Sequence, residues 1–153
     1  MNGISGLGMS PARTWGISSC GWFDKWGIDF SIGEVIFSSS GNNMAEIILK
    51  GEKTNSTFSD KSLSITIQIK TKGPEDADWQ VETIRLDHSL SAGANELGWG
   101  QSFTSSLYQA KDLIGKKLII EVTVSAQDGT VISSAKTQEA VLNKIGQPLI
   151  IAR

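Results

Sequence analysis

Cysteine and histidine are almost missing from this sequence of 153 residues, which contains one of each, Cys20 and His88. A single cysteine excludes an intramolecular disulfide and is typical of a protein that folds in a reducing compartment. One cysteine and one histidine also cannot supply the full ligand set of a structural zinc site. We therefore expect neither a disulfide framework nor a cofactor that organises the fold.

Excess charge and long apolar segments are lacking as well. A net charge of −2 is far from the basic balance of nucleic-acid-binding proteins, so we expect no nucleic acid partner. No segment approaches the roughly 18 apolar residues of a membrane helix. The initial "MNGISGLGMSPAR" has neither the basic start nor the apolar block of a secretory signal. We expect a protein that is made in the cytoplasm and is then incorporated into a particle, or released without a classical signal.

The first 43 residues differ in composition from the rest of the chain. They contain three of the five tryptophans and half of the sixteen glycines, but few charged residues. Residues 1–13 form a Gly/Ser-rich arm whose apolar residues are too sparse for a strand or a helix. We predict an N-terminal arm and Trp-rich segment over residues 1–25, followed by a single domain over residues 26–153.

Alternation of apolar and polar residues predicts several strands in that domain. The clearest is "SLSITIQIKTK", in which every second residue is apolar. "KLIIEVTVSA" follows the same pattern, and the Asp-Gly between it and the neighbouring "TVISSAK" predicts a hairpin. We interpret "AEIILKG", "WQVETIRLD" and "QPLIIAR" as further strands. Several short strands separated by turn residues predict an antiparallel β-sandwich of two sheets.

Two strands need an irregularity to keep their apolar residues on one face. In residues 26–32 these residues lie at even positions and in residues 35–37 at odd positions, so we predict a bulge or tight turn at Gly33-Glu34. In "WQVETIRLD", residues 79–87, the apolar residues change from odd to even positions. That change predicts a second bulge near Thr83.

One segment, "TSSLYQAKDLIGKK", shows the spacing of a helix. Ser105 or Ser106 can cap its start, Gly115 suits its end, and the apolar residues between them recur at helical intervals. The predicted fold class is therefore all-β, a two-sheet sandwich with one short helix near residues 105–114 and an extended Gly/Ser-rich N-terminal arm.

Residues 112–137, "DLIGKKLIIEVTVSAQDGTVISSAKT", resemble the final hairpin of bacterial immunoglobulin-like β-sandwich modules. The shared features are a turn ending in Gly-Lys, a strand of alternating β-branched residues, an Asp-Gly turn and a serine-rich return strand. The resemblance covers about a sixth of the chain. It implies an immunoglobulin-like sandwich but no particular function, because such sandwiches carry many functions.

Residues with catalytic chemistry do not form a set in the sequence. Asp87, His88 and Ser89 are the residue types of a hydrolase triad, but neighbours on a strand point to opposite faces. The pairs of carboxylates that glycosidases use could include Glu82 or Glu121, but no spacing selects a pair. We expect no catalytic residues, interpret His88 as a surface or edge-strand residue, and predict that the protein is not an enzyme.

Two further groups of residues allow alternative interpretations. The loop "KGPEDADW" brings together Glu75, Asp76 and Asp78, which we interpret as a solvated turn while keeping them as calcium candidates. Trp79 and Trp99 either seal the ends of the sandwich or stack on a sugar ring. We favour the core for any single tryptophan, because each ring buries a large area.

These observations lead to two hypotheses for the function. The first is a non-enzymatic structural or assembly protein, such as a virion, tail or decoration subunit, that forms homo-oligomers or binds other subunits. Its contacts would come from the arm and the Trp-rich segment, through Ile4, Leu7, Met9, Trp15 and Trp22. The alternative is a carbohydrate- or surface-binding sandwich that uses Trp79 and Trp99, with or without calcium.

Overall fold

The protein is a β-sandwich in a computed structural model that describes residues 27–152. Most of these residues belong to strands, and the predicted all-β class is confirmed. The elements in chain order are β1 (Ile28–Ser39), β2 (Met44–Asn55), β3 (Lys61–Lys72), β4 (Gln80–Leu90), β5 (Asn95–Gln109), α1 (Ala110–Leu113), β6 (Lys117–Ala126), β7 (Val131–Lys136), β8 (Ala140–Val141) and β9 (Gln147–Leu149).

The strands form two antiparallel sheets that enclose one core. The first sheet has the order β5-β2-β1-β9 and the second has the order β4-β3-β6-β7, with β8 also paired to β6. The alternation predicted for β3 and β6 is confirmed, because the alternate apolar residues that defined it lie at the core and are at most 3% exposed. The Asp-Gly turn joins β6 to β7 as a hairpin, with Gly129 at a φ of 89°. No helix in residues 27–152 has the length and hydrophobicity needed to span a lipid bilayer.

The irregularity predicted at Gly33 is confirmed. The pairing of β1 with β2 shifts register between Ile32 and Glu34, and the buried residues of β1 change from even to odd positions there. Gly51 lies opposite this bulge, where a Cβ atom would come within 1.9 Å of the Ser31 carbonyl oxygen. A glycine at that position therefore allows the two backbones to approach each other.

The bulge predicted near Thr83 is wrong. β4 pairs with β3 through eleven consecutive residues without a shift, from Gln80 to Leu90. The change of parity has another cause: Val81 faces solvent at 50% exposure, while Glu82 faces the core at 6% exposure. The strand stays regular because Glu82 occupies an inward position where the sequence pattern predicts an apolar residue. Its carboxylate is tolerated there because it has hydrogen-bond partners.

The helix predicted over residues 105–114 is much shorter, with four residues in α1. Residues 105–109 belong instead to β5, the longest strand, which the sequence pattern did not predict. Within this stretch only Gln109 pairs with β2, and side chains bind the backbone before it: Glu82 accepts the N–H of Ser106, and Ser105 Oγ accepts those of Leu107 and Tyr108. These contacts override a helical spacing of apolar residues. Gly115, at a φ of 91°, follows the helix as expected for a C-terminal cap.

The two open sides of the sandwich are closed by different means. On one side the backbone closes it, since Ala152 N–H donates to the Lys136 carbonyl at 2.7 Å and Gln138 N–H to the Ile150 carbonyl at 2.8 Å. On the other side the edge strands β4 and β5 lie next to each other, and within residues 27–152 no backbone hydrogen bond joins them. There the contacts between the sheets come from side chains.

Candidate functional site

Polar side chains between the edge strands β4 and β5 form the most unusual feature of the core. We call this region the β4–β5 seam; it contains Glu82 and His88 from β4, Glu96 and Ser105 from β5, and Lys53 from β2. Buried polar groups are costly unless they are paired, so their partners determine what the seam can do.

Lys53 lies almost fully inside the seam, at 5% exposure. Its Nζ is 2.6 Å from His88 Nε2 and 3.3 Å from a carboxylate oxygen of Glu96. An ammonium group can only donate, so His88 Nε2 must accept, and the imidazole is neutral with its proton on Nδ1. The lysine is thus held between a neutral acceptor inside the core and a carboxylate at the surface.

Aromatic rings surround the imidazole of His88. The ring centroids of Phe30 and Trp99 lie 6.3 Å and 6.0 Å from that of His88, both in edge-to-face arrangements. Burial is the main cause that lowers the pKa of His88, the neighbouring Lys53 charge lowers it further, and Glu96 opposes both. The surroundings therefore favour the neutral imidazole that the lysine needs as an acceptor.

The Glu82 carboxylate is bound at the other end of the seam. Ser105 Oγ donates to its Oε1 at 2.6 Å, and the backbone N–H and hydroxyl of Ser106 donate to its Oε2 at 3.0 and 3.2 Å. Ser105 Oγ also accepts the N–H groups of Leu107 and Tyr108. Ser105, which the sequence offered as a helix cap, therefore connects the buried carboxylate of Glu82 to the irregular end of β5.

The structure tests the arrangement expected for the catalytic residue types. His88 points inward from β4 while Asp87 and Ser89 are exposed, so the expectation that they face opposite sides is confirmed. His88 does lie on an edge strand, but it faces the core rather than the surface. Glu82 lies on the inner face of its sheet and Glu121 on the outer face, where Lys70 lowers the pKa of the Glu121 carboxyl. These two carboxylates cannot flank one substrate.

The structure places the two candidate stacking residues differently. Trp99 is 6% exposed, and its ring packs 4.9 Å from that of Phe30, so it is a core residue and presents no open face to a sugar. Of the two interpretations given for Trp99, its position fits the favoured one, the core, because its glycine neighbours lie on a strand and its own side chain points inward. Trp79 is half-buried in the connection between β3 and β4.

Two hydrogen bonds join Gly73 and Asp76 within the acidic loop, and in one of them the Asp76 N–H donates to the Gly73 carbonyl at 3.1 Å. Asp76 accepts a hydrogen bond from the Gly73 N–H at 2.8 Å, while Glu75 and Asp78 are exposed. Within residues 27–152, no group of three or more His, Cys, Asp or Glu side chains is placed to hold a metal ion. Calcium binding by this loop stays a prediction.

Two shallow depressions lie on the outer faces of the sheets. One, of about 350 Å³, lies on the outer face of β3 and β4 and is lined by hydroxyl groups, Arg85 and Asp87. The other, of about 290 Å³, lies over the β1 bulge, beside Gly98 and the exposed Leu97. The seam residue His88 also lines the first depression, whereas Lys53 and Glu82 line neither.

Several predicted residues cannot be compared with the structure. The proposed partner-binding residues Ile4, Leu7, Met9, Trp15 and Trp22 lie outside the described residues, as do Cys20, Trp26 and the predicted arm and Trp-rich segment over residues 1–25.

The sequence interpretation missed Lys53 and Glu96. A signal for Lys53 was available, because the alternation of Ala45, Ile47 and Leu49 places Lys53 on the same inward face. Glu96 carries no such signal, because its strand has no regular alternation.

Comparisons with family models and with curated protein sequences return no match for this chain. Among solved structures, a beta-glucuronidase of Bacteroides uniformis is similar at 17% identity with a TM-score of 0.46. A GH3 beta-glucosidase of Bifidobacterium adolescentis is similar at 15% identity with a TM-score of 0.36. Each similarity covers 76% of this chain but only 13% and 17% of those chains, so this chain spans a small part of either glycosidase.

Proposed function

We propose that the chain is a non-enzymatic structural or assembly protein that acts by self-association. One observation carries the proposal: Lys53, His88 and Glu82 face the core and bind partners within their own chain. Their chemistry is used to connect the two sheets at the seam. The outward features are instead those of an interaction module, namely free strand edges and exposed apolar side chains such as Leu97 and Leu107, at 67% and 63% exposure.

The order of strand pairings supports a sandwich of the immunoglobulin-like type. β1, β2 and β5 correspond to strands A, B and E of that fold, and β3, β6 and β7 to strands C, F and G. β4 then takes the place of the added strand beside C. We propose that the chain is an immunoglobulin-like module of a larger particle, such as a virion, a tail or a decoration layer.

The contacts of the arm provide the test of self-association. Sedimentation velocity of the full chain over a range of concentrations should show oligomers, and deletion of residues 1–13 should weaken them. Trp15→Ala and Trp22→Ala should have the same effect, because large aromatic side chains dominate interface energies. Trp79→Ala, a change of the same size within the described domain, is the matched control. A full chain that sediments as a monomer at high concentration, whether or not the arm is present, would overturn the proposal.

A carbohydrate-binding function is a second candidate, favoured by the polar depression on β3 and β4. Its hydroxyl groups, Arg85 and Asp87 suit a ligand with many hydroxyl groups, and it is large enough for a small sugar. Glycan-array binding that is lost on Asp87→Ala would support this function. Absence of binding to every glycan, with and without calcium, would contradict it.

A further inference from the structure

The free edge of β4 differs from the other sheet edges. β9 has three residues and includes Pro148, and the neighbouring C-terminal residues close the sandwich on the β7 side. β5 shifts register twice against β2, and such irregularities bend an edge away from pairing. β4, in contrast, has eleven residues in uninterrupted register, with no proline, glycine or lysine. It is the most regular edge in the described part of the chain.

The core beneath this edge is incompletely covered. The inward residues of β3, such as Ile65 and Ile67, are 0% exposed, whereas Ile84, Leu86 and His88 on β4 are only half-buried. A strand added beside β4 would cover the exposed parts of these side chains and would satisfy the unpaired backbone groups of the edge.

The charges on the outer face of β4 are self-complementary. Arg85 and Asp87 lie symmetrically on either side of Leu86, and both are exposed. If two β4 strands pair antiparallel with Leu86 on the two-fold axis, Arg85 of each chain lies opposite Asp87 of the other. Opposite charges at facing positions stabilise an antiparallel pair, and like charges destabilise it.

We propose that β4 pairs antiparallel with β4 of a second copy about a two-fold axis at Leu86, so that two five-stranded sheets become one continuous sheet. The interface is isologous, as expected for a homodimer. This proposal names a surface for the self-association proposed above, and it does not depend on the N-terminal arm.

Charge reversal tests the pairing, because each single substitution changes both symmetric contacts. In the full chain, Arg85→Asp places acidic residues opposite each other, and Asp87→Arg does the same with basic ones. Each should weaken the dimer roughly tenfold, as expected for two cross-strand pairs that change from attraction to repulsion. The double variant Arg85→Asp/Asp87→Arg should restore the dimer, and so should an equimolar mixture of the two single variants.

Matched controls separate this effect from damage to the fold. Arg85 Nε donates to Ser64 Oγ at 2.7 Å within the chain, so Arg85→Asp also removes that bond. Ser64→Ala removes the same bond but keeps both charges, and it should leave the dimer unchanged. Circular dichroism and thermal unfolding should show that all variants are folded. Hydrogen exchange of residues 81–89 should slow as the concentration of the unmodified chain rises.

The outcomes distinguish this proposal from the proposed function. Oligomers that are unchanged in all charge variants but are lost when residues 1–13 are deleted would overturn β4 pairing and support self-association through the N-terminal arm. Oligomers that survive the deletion but follow the charge pattern would support β4 pairing alone. Single variants that weaken the dimer without rescue in the double variant or in the mixture would also overturn the proposed register.

Discussion

Replacing His88 by leucine tests the energetic importance of the β4–β5 seam. The substitution removes the acceptor that lies 2.6 Å from Lys53 Nζ, while the lysine stays at 5% exposure. Leucine has a similar size and keeps apolar contact with Phe30 and Trp99. The main loss is therefore the hydrogen bond to a charged, buried donor.

The expected cost follows from that geometry. Loss of a hydrogen bond to a charged group costs about 1.5–3 kcal/mol. Glu96, at 3.3 Å, still accepts from the ammonium group, so we expect a value near the lower end, about 2 kcal/mol. For a chain of this length, that corresponds to a decrease in Tm of roughly 4–8 °C.

A double-mutant cycle provides the assay, with urea unfolding followed by tryptophan fluorescence. Lys53→Met removes the buried donor, and Lys53→Met/His88→Leu removes both groups, leaving no unpaired charge in the core. The double variant should be more stable than the sum of the two single effects predicts, by about 1–2 kcal/mol. A cost of less than about 0.5 kcal/mol for His88→Leu, together with additive effects of the two substitutions, would refute a stabilising bond between Lys53 and His88.

Three further predictions follow from other contacts. The pKa of His88 lies below its ordinary 6.5 in the folded state, so the unfolded chain binds this proton more readily. The free energy of unfolding should therefore be at its full value above pH 6.5 and should fall as the pH decreases through the folded pKa. Urea midpoints should show this loss in the unmodified chain but not in His88→Leu. Glu82→Ala should cost about 2–3 kcal/mol in urea unfolding, since it leaves two hydroxyl groups and a backbone N–H without their acceptor, and a cost below about 0.5 kcal/mol would contradict this. Gly51→Ala should prevent soluble folding because its Cβ would meet the Ser31 carbonyl. The control Gly98→Ala adds a Cβ in open space and should change Tm little. Equal soluble yields of the two variants would be evidence against the close approach at Gly51.

The accuracy of the sequence predictions varied with the kind of side chain that occupies the inward positions. β3 and β6 were predicted correctly because four successive inward residues in each of them are apolar. The bulge at Gly33 was also predicted, because the inward positions on both sides of it are apolar. β4 was predicted as a strand, but with a bulge that does not exist, because Glu82 takes an inward position.

β5 was not predicted because its irregular pairing hides the alternation that marks a strand. Its inward positions include Trp99, Phe103 and Ser105, with glycines and two register shifts between them. The candidate site was hidden for a different reason. Lys53, His88 and Glu96 lie on three strands, and nothing in their sequence spacing brings them together.

The sequence by itself determined the class of this protein and most of its strands, because burial of alternate apolar residues is a local pattern that a strand satisfies wherever it lies in the sheet. Only the tertiary structure decided how the sandwich closes between β4 and β5. Buried polar residues are tolerated there because partners on other strands satisfy them, and those partners are defined by folding rather than by position in the chain. The arrangement of strands also decided that Trp99 packs in the core, and that β4, with charges symmetric about Leu86, lies at an edge.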